Sequence, residues 1–369
     1  MTLAQVDARW MEAVLAFGRR GLGTTAPNPS VGAILVKDGK IVGRGVTDKG
    51  GRPHAERRAI AEAGGEAQGA TLYVTLEPCS HHGVTPPCAE AVIAAGVARV
   101  VIAIEDADPR VAGRGVALLR AAGIAVEVGV GEAVARRDHL GHFTRVTLGR
   151  PMVTLKLAQT ADGFAAGDAY DGRLMITGEA ANARVQTLRS MHDAIMVGVG
   201  TALADDPLLT VRLPGALEKP LRVVLDSLLR LPAASRIAAT ARAYPTLVLT
   251  TPDAPHDRQA MLEARGLDVL RTPPGAEGRI DLGSALNVLG SRGLTRVFCE
   301  GGPHLGAELI RAGLADEVIV ITAPKPLGRK GLAALNEASR RALDDPTRYR
   351  LADSARFEPD GLRRWARAK

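Results

Sequence analysis

The chain has 369 residues, with 47 Lys+Arg against 40 Asp+Glu, a net charge of +7 and 46% hydrophobic residues. At roughly 100–200 residues per domain this length predicts two domains, and the apolar and charged fractions exclude long disorder. No stretch approaches the ~18 uninterrupted apolar residues of a membrane helix.

The first twenty residues carry Asp7, Arg9, Glu12, Arg19 and Arg20 and lack the apolar core of a signal peptide. A cytoplasmic protein without membrane contact is therefore expected. The surplus positive charge suits anionic ligands, either nucleic acid or phosphorylated small molecules. Aromatic residues make up 3% of the chain, too few for the stacking platforms that single-strand readers use, so nucleic acid is not expected as a partner. Three cysteines cannot build a disulfide framework; they read as metal ligands, a nucleophile or core residues.

In chain order, residues 4–20 have the apolar spacing of a helix. Residues 31–36 and 41–46 flank an Asp-Gly turn and predict a hairpin. A helix at 54–64, a strand at 71–76, a helix at 88–95, a strand at 98–104, a helix at 113–122 and a strand at 124–128 follow. This order predicts a sheet with helices packed on it. Residues 144–151, with Gly149 and Pro151, are the expected junction, giving domains 1–146 and 150–369. Beyond it, strands fit 152–158, 193–198, 221–226, 246–250, 267–270, 295–299, 317–322 and 361–367. Helices fit 179–190, 256–265, 282–290 and 303–312, and 163–173 reads as a glycine-containing loop. The whole chain is α/β in class.

The most specific pattern lies in 54–88. His54-Ala55-Glu56 opens a helix, Pro78-Cys79 follows a strand, and Pro86-Pro87-Cys88 opens the next helix. One His and two Cys can hold Zn²⁺ and leave a fourth position for water, whose pKa the ion brings down to roughly 7. Glu56 stands two residues from His54 and can carry a proton from that water to a leaving amine. Buried structural cysteines are the plain alternative. The pattern departs from the short zinc-deaminase signature, because eight residues rather than two separate Cys79 from Cys88.

In the second half, Gly198-Val199-Gly200 follows a strand but lacks the third glycine of a dinucleotide fingerprint. Glu300-Gly301-Gly302-Pro303 joins a strand to a helix, where freed backbone N–H groups favour an anion. The same run also serves as an ordinary strand-to-helix turn with proline at the first helical position. Cys299 inside the strand reads as a small core residue.

The run from Cys79 to Cys88, with Asn28-Pro29, His54-Ala55-Glu56, Thr75-Leu76-Glu77-Pro78 and Val111–Gly115, resembles the pyrimidine deaminase of riboflavin biosynthesis. Leu155–Ala158, Asp162-Gly163, Gly200–Arg212, Asp226-Ser227 and Glu300–Gly302 are similar to the reductase half of the same bifunctional family, so the resemblance spans about residues 10–369. It implies a cytidine-deaminase-like three-layer α/β/α domain followed by a dihydrofolate-reductase-like α/β domain. It further implies one Zn²⁺, NADPH, a phosphoribosyl pyrimidine substrate and a homo-oligomer formed through the reductase domain.

Carried over residue by residue, the resemblance implies His54, Cys79 and Cys88 as zinc ligands, Glu56 as proton carrier, and Asn28 and His81 as substrate contacts. It implies Ala158, Met175, Thr201, Asp205, Ser227, Gly302, Pro303, His304, Leu305, Gly306, Ala307 and Glu308 as cofactor contacts. Arg173, Arg189, Leu209, Arg212 and Glu300 fall to the substrate, and Lys156 beside the reacting ribose. Arginine forks suit a sugar phosphate. The family usually has a basic residue where Val84 stands, a basic residue after Asp162-Gly163, where this chain has Phe164, and a Ser-x-Trp at 173–175. A polynucleotide deaminase with a C-terminal binding module and a non-catalytic zinc-stabilised sensor are the competing readings. The sensor would make Glu56 dispensable.

Overall fold

A computed structural model describes residues 1–83, 86–168, 174–216 and 218–368. Two compact units divide the chain, Met1–Arg150 and Pro151–Lys369. The first contains α1 (Leu3–Gly18), β1 (Gly32–Lys37), β2 (Lys40–Val46), α2 (Ala55–Ala63), β3 (Thr71–Val74) and α3 (Cys88–Ala94). It continues with β4 (Arg99–Ile102), α4 (Arg114–Ala121), β5 (Ala125–Val128), α5 (Glu132–Asp138) and α6 (Leu140–Leu148). Its sheet runs β2-β1-β3-β4-β5, with β1 antiparallel to both β2 and β3 and the β3-β4-β5 set parallel.

Glycines decide how closely α2 approaches the hairpin. A Cβ on Gly43 would overlap the Ala59 carbonyl and one on Gly45 the Ala55 carbonyl. Ala55, Ala59 and Ala63, spaced four apart, form the matching seam and are buried. The start of α2, which carries His54 and Glu56, is therefore fixed against β2. Val74, Leu72, Val100, Val101 and Ile102 fill the core beneath it.

Helices α5 and α6 occupy residues where no helix was expected, and the region expected to be a junction from 144 is helical to Leu148. The two short helices share His139 as their break, which interrupts any single apolar period. Gly149, at φ 72°, ends α6 in a left-handed cap.

The second unit contains β6 (Met152–Gln159), β7 (Phe164–Ala166), α7 (Glu179–Ser190), β8 (Ala194–Gly198), α8 (Val199–Asp205), β9 (Leu221–Leu225) and α9 (Arg236–Ala239). Next come β10 (Thr246–Thr250), α10 (His256–Ala264), β11 (Asp268–Arg271), α11 (Leu282–Ser291), β12 (Arg296–Cys299) and α12 (Pro303–Arg311). It ends with β13 (Glu317–Thr322), β14 (Leu332–Ala333), α13 (Glu337–Asp344), β15 (Tyr349–Phe357) and β16 (Asp360–Arg367). The large sheet runs β11-β10-β9-β8-β12-β6-β13-β16-β15. It is parallel from β11 to β13, and β16 runs antiparallel to both of its neighbours, β13 and β15.

Strand β12 slots between β8 and β6, so the chain reverses its direction of sheet growth there. Ligand crevices in open α/β sheets form at such a switch point, beyond the carboxyl ends of the strands. The ends of β6, β8 and β12 carry Ala158, Gly198 and Cys299 respectively, followed by Glu300 and the α12 glycine turn. Among the described residues, no helix is long and apolar enough to cross a membrane.

Candidate active sites

In the first unit, His54 ends an extended segment as the residue before α2, and Cys88 is the first residue of α3. The His54 Nδ1 lies 3.3 Å from Cys88 Sγ and 3.7 Å from Cys79 Sγ. With metal–sulfur and metal–nitrogen bonds of roughly 2.3 and 2.0 Å, a tetrahedral site needs donor separations of about 3.6 Å. The three side chains therefore fit a zinc ion without rearrangement, and they form the candidate metal cluster among the described residues. The Cys88 backbone N–H donates to Cys79 Sγ at 3.3 Å, placing that sulfur at a helix N-terminus.

The protonation of this cluster favours a cation. The Cys88 thiol hydrogen-bonds to the Cys79 sulfur and holds its pKa down to about 4. The same shared proton, together with burial, pushes Cys88 far up. His54 is raised, first by its bond to the Cys79 sulfur. The donors share protons in the place where a dication would displace them.

Glu56 is buried, and its Oε2 has no hydrogen-bond partner. Burial pushes its carboxyl up to about 7, against the opposing pull of His54. An orphaned carboxylate oxygen beside a three-donor cluster is what a proton carrier requires. A residue of a closed structural site would be bonded.

Asn28 Nδ2 donates to the Gly51 carbonyl at 2.8 Å and lies 3.4 Å from His54 Nε2. Gly51, at φ 88°, leaves no room for a Cβ against Asn28. His81 Nδ1 is screened from solvent without a hydrogen-bond partner, whereas His82 is exposed and faces Glu90 at 3.6 Å. Position 84 lies outside the described residues.

Glu77 stood only as part of a motif in the sequence, but it organises this site. Its buried carboxylate accepts from the Asp106 N–H at 3.1 Å, the Gly113 N–H at 2.9 Å and the Val116 N–H at 3.1 Å. Gly115 packs against the Pro78 carbonyl where no side chain fits. The 106–116 loop is thereby fastened to the segment that presents Cys79. His142 reinforces it, at 2.8 Å from Asp106. The available signal was a carboxylate between Leu76 and Pro78, a position where an unpaired charge would be costly.

In the second unit, Lys156 lies on β6 in register with Ile319 of β13. Glu300 follows β12, and its N–H donates to the Met196 carbonyl at 2.9 Å. Arg189 of α7 forks onto the Glu300 carboxylate at 2.5 and 3.0 Å and donates to the Thr210 carbonyl at 2.8 Å. Burial alone would raise the Glu300 carboxyl, but Arg189, with Lys156 and Arg212 nearby, outweighs it and holds it below the usual range. Lys156, Arg189, Arg212 and Glu300 are thus brought together, with Arg189 bound to the carboxylate. Leu209 is buried in the left-handed region at φ 52°, and the Arg212 N–H donates to Gln186 Oε1 at 2.8 Å.

Thr201 Oγ1 accepts from the Gly302 N–H at 2.9 Å, joining the start of α8 to the cap of α12. Pro303 opens that helix, and His304 to Ala307 form its first turns. Glu308 pairs with Arg311 at 2.7 Å and Ser227 Oγ accepts from the Ile280 N–H at 3.2 Å. Asp205 closes α8, Ala158 pairs with Ile321, and Met175 is exposed. Arg173 lies outside the described residues. Cys299 is fully buried, and burial pushes its thiol up to about 12, as a core residue requires.

Residues 4–104 match the family model of the cytidine and deoxycytidylate deaminase zinc-binding region, and residues 151–362 match that of the RibD C-terminal domain. The chain is 38% identical to the riboflavin biosynthesis protein RibD of Aquifex aeolicus over 94% of its own length and 95% of the relative's. Identity to the Escherichia coli protein of the same name is 39%, over 96% and 97%. Acinetobacter baumannii RibD superposes with a TM-score of 0.85 at 36% identity, covering 99% of this chain and all of that one. A Thermotoga maritima structure described as a diaminohydroxyphosphoribosylaminopyrimidine deaminase/5-amino-6-(5-phosphoribosylamino)uracil reductase superposes with a TM-score of 0.84 at 31% identity over the full length of both. The chain belongs to the RibD family and is a bifunctional enzyme of riboflavin biosynthesis, with a zinc-binding deaminase domain followed by an NADPH-using reductase domain.

Proposed function

We propose that the first unit hydrolyses the ring amine of 2,5-diamino-6-(5-phosphoribosylamino)pyrimidin-4-one. The second then reduces the ribosyl group of 5-amino-6-(5-phosphoribosylamino)uracil to ribityl. The observation that carries this reading is the orphaned Glu56 oxygen beside the His54–Cys79–Cys88 triangle, in one chain with the Lys156–Arg212–Glu300 cluster. That a polynucleotide is the substrate is disfavoured by the scarcity of aromatic residues.

Zinc, held by His54, Cys79 and Cys88, supplies Lewis acidity toward water when bound. Glu56 accepts a proton from the attacking water and delivers it to the departing amine, so water replaces the amine as a carbonyl and ammonia leaves. Asn28 and His81 hold the pyrimidine. NADPH, bound along Thr201, Asp205, Ser227 and the Gly302–Glu308 turn, supplies the hydride. Lys156 faces the ribose as proton source during ring opening, and Glu300 stays a carboxylate that fixes Lys156 and Arg189. Arg212, with Arg173, grips the phosphate. Lys156→Met with undiminished reductase turnover would remove Lys156 from this role.

We also place the protein in the cytoplasm and pair it with a second copy through the reductase unit, where β15 leaves a sheet edge with Leu351 exposed. The reaction sequence is tested by following ammonia release and NADPH consumption together on the zinc-loaded protein. Ammonia should precede NADPH loss, and already deaminated substrate should consume NADPH without ammonia. If NADPH loss from the diamino substrate precedes ammonia, the proposed order fails; if neither signal appears, the reading itself does.

A further inference from the structure

Arg222, the second residue of β9, is fully buried. Its guanidinium donates to Thr246 Oγ1 at 3.0 and 2.6 Å, Thr240 Oγ1 at 2.8 Å, the Ile237 carbonyl at 3.0 Å and the Tyr244 carbonyl at 3.1 Å. It also donates to the Leu208 carbonyl at 3.2 Å and stacks 5.4 Å from the Tyr244 ring centre. Every partner among the described residues is a neutral oxygen. A buried charge without a counter-ion costs several kcal/mol, and an aliphatic residue would fill the same space without that cost. The guanidinium therefore has work to do that an aliphatic chain cannot.

One partner shows what that work is. Leu208 lies inside the Asp205–Arg212 segment, where Asp206 and Leu209 hold φ at 40° and 52°. Left-handed backbone at non-glycine residues costs of order 1–3 kcal/mol each and persists only where surrounding bonds over-determine it. Hydrogen bonds to neighbouring elements do so here. Asp206 Oδ1 accepts from the Arg236 N–H at 2.8 Å, and the Leu208 carbonyl accepts from Arg222. The Thr210 carbonyl accepts from Arg189, and the Arg212 N–H donates to Gln186. The Arg222 tie holds the segment near its midpoint and joins it to β9, β10 and the α9 turn.

We propose that Arg222 is a positioning residue of the reductase: it holds the Leu208 carbonyl so that Leu209 and Arg212 stand where the phosphorylated substrate meets them. The proposal rests on the reading of Leu209 and Arg212 as substrate contacts. Arg222 touches neither substrate nor cofactor and acts through the backbone it grips.

The test is steady-state reductase kinetics of the full-length protein carrying Arg222→Gln or Arg222→Lys, with melting temperature and deaminase turnover as controls. In Arg222→Gln the KM for the phosphoribosylaminouracil should rise about tenfold. The KM for NADPH and the deaminase rate should stay within about twofold. Arg222→Lys keeps the charge but loses the fork and should fall between. A lowered melting temperature with an unchanged substrate KM would make Arg222 a packing residue only and overturn the proposal. Should Arg222→Gln fail to accumulate, Thr246→Val loosens the same guanidinium; a raised substrate KM supports the proposal and an unchanged one overturns it. Arg212→Gln separates the two levels. If it leaves the substrate KM unchanged, the substrate-contact reading fails and takes the proposal with it. If it raises KM while Arg222→Gln does not, positioning by Arg222 alone fails.

Discussion

The two sites are assembled in different ways. The proposed deaminase site is local: three candidate zinc donors and the proposed proton carrier sit at the starts of α2 and α3 and in the segment after β3, within 35 residues of sequence from His54 to Cys88. The proposed reductase site is gathered from distant elements, with Lys156 on β6, Arg189 on α7, Arg212 after α8 and Glu300 after β12. The first depends on donor chemistry held by short elements. The second depends on a buried ion pair and a strained segment held in place by arginines. A local site should fail abruptly with its metal, and a distributed one should fail by degrees as its supports are removed.

Metal removal gives the largest expected difference. Chelation, or Cys88→Ser, should abolish ammonia release while reductase turnover on deaminated substrate persists, since among the described residues the candidate metal cluster lies in the first unit. Bound zinc measured beside both rates checks this, and a parallel loss of the two activities would break the contrast.

Glu300→Gln comes next. It leaves the Arg189 guanidinium buried without its carboxylate, which costs roughly 3–5 kcal/mol. Reductase activity and the stability of the second unit should fall together, while the deaminase rate is unchanged. Denaturant unfolding followed by both activities separates the two.

Glu77→Gln should cost roughly 1–3 kcal/mol, because all three backbone donors lose a charged acceptor and at least one then faces an amide NH₂. It should lower deaminase turnover with zinc still bound. Unchanged turnover would show that the 106–116 loop does not serve the site.

The smallest expected effect on turnover concerns His192, buried with Nδ1 2.6 Å from the Leu188 carbonyl and Nε2 3.1 Å from Thr154 Oγ1. Burial, then Arg296, pushes its pKa down to about 3, from an ordinary value of 6.5. The folded state therefore holds it neutral. The stability this contributes is complete above about 6.5 and drains as pH falls toward 3, by about 1.4 kcal/mol per unit. At about pH 5 the second unit should have lost about 2 kcal/mol on this ground, and His192→Gln should flatten that slope. An unaltered slope would assign the loss to other groups.

The legibility of the two halves follows the same contrast. His54, Glu56, Cys79 and Cys88 were readable because each sits at an element boundary that proline or helix periodicity marks. The parallel strands were readable from their apolar runs. Strand β15 was not, since one residue after another along it is exposed and no alternation appears. Helix α13 was missed although Asn336 caps it through the Ser339 N–H at 2.8 Å. Arg222 and Glu77 were silent as functional groups, because their meaning lies in backbone atoms of loops far along the chain. No residue pattern records which carbonyl a buried guanidinium will find.

The most direct measurement is made on zinc-loaded, full-length Glu56→Gln, following ammonia and NADPH in one assay with metal content determined on the same sample. Zinc should remain near one equivalent per chain and the fold should persist. Ammonia release should drop by roughly 10²–10⁴-fold, and deaminated substrate should be reduced at the wild-type rate. Ammonia release at the wild-type rate would contradict the assignment of Glu56 as proton carrier, and with it the reading of the first unit as a site built around that orphaned oxygen.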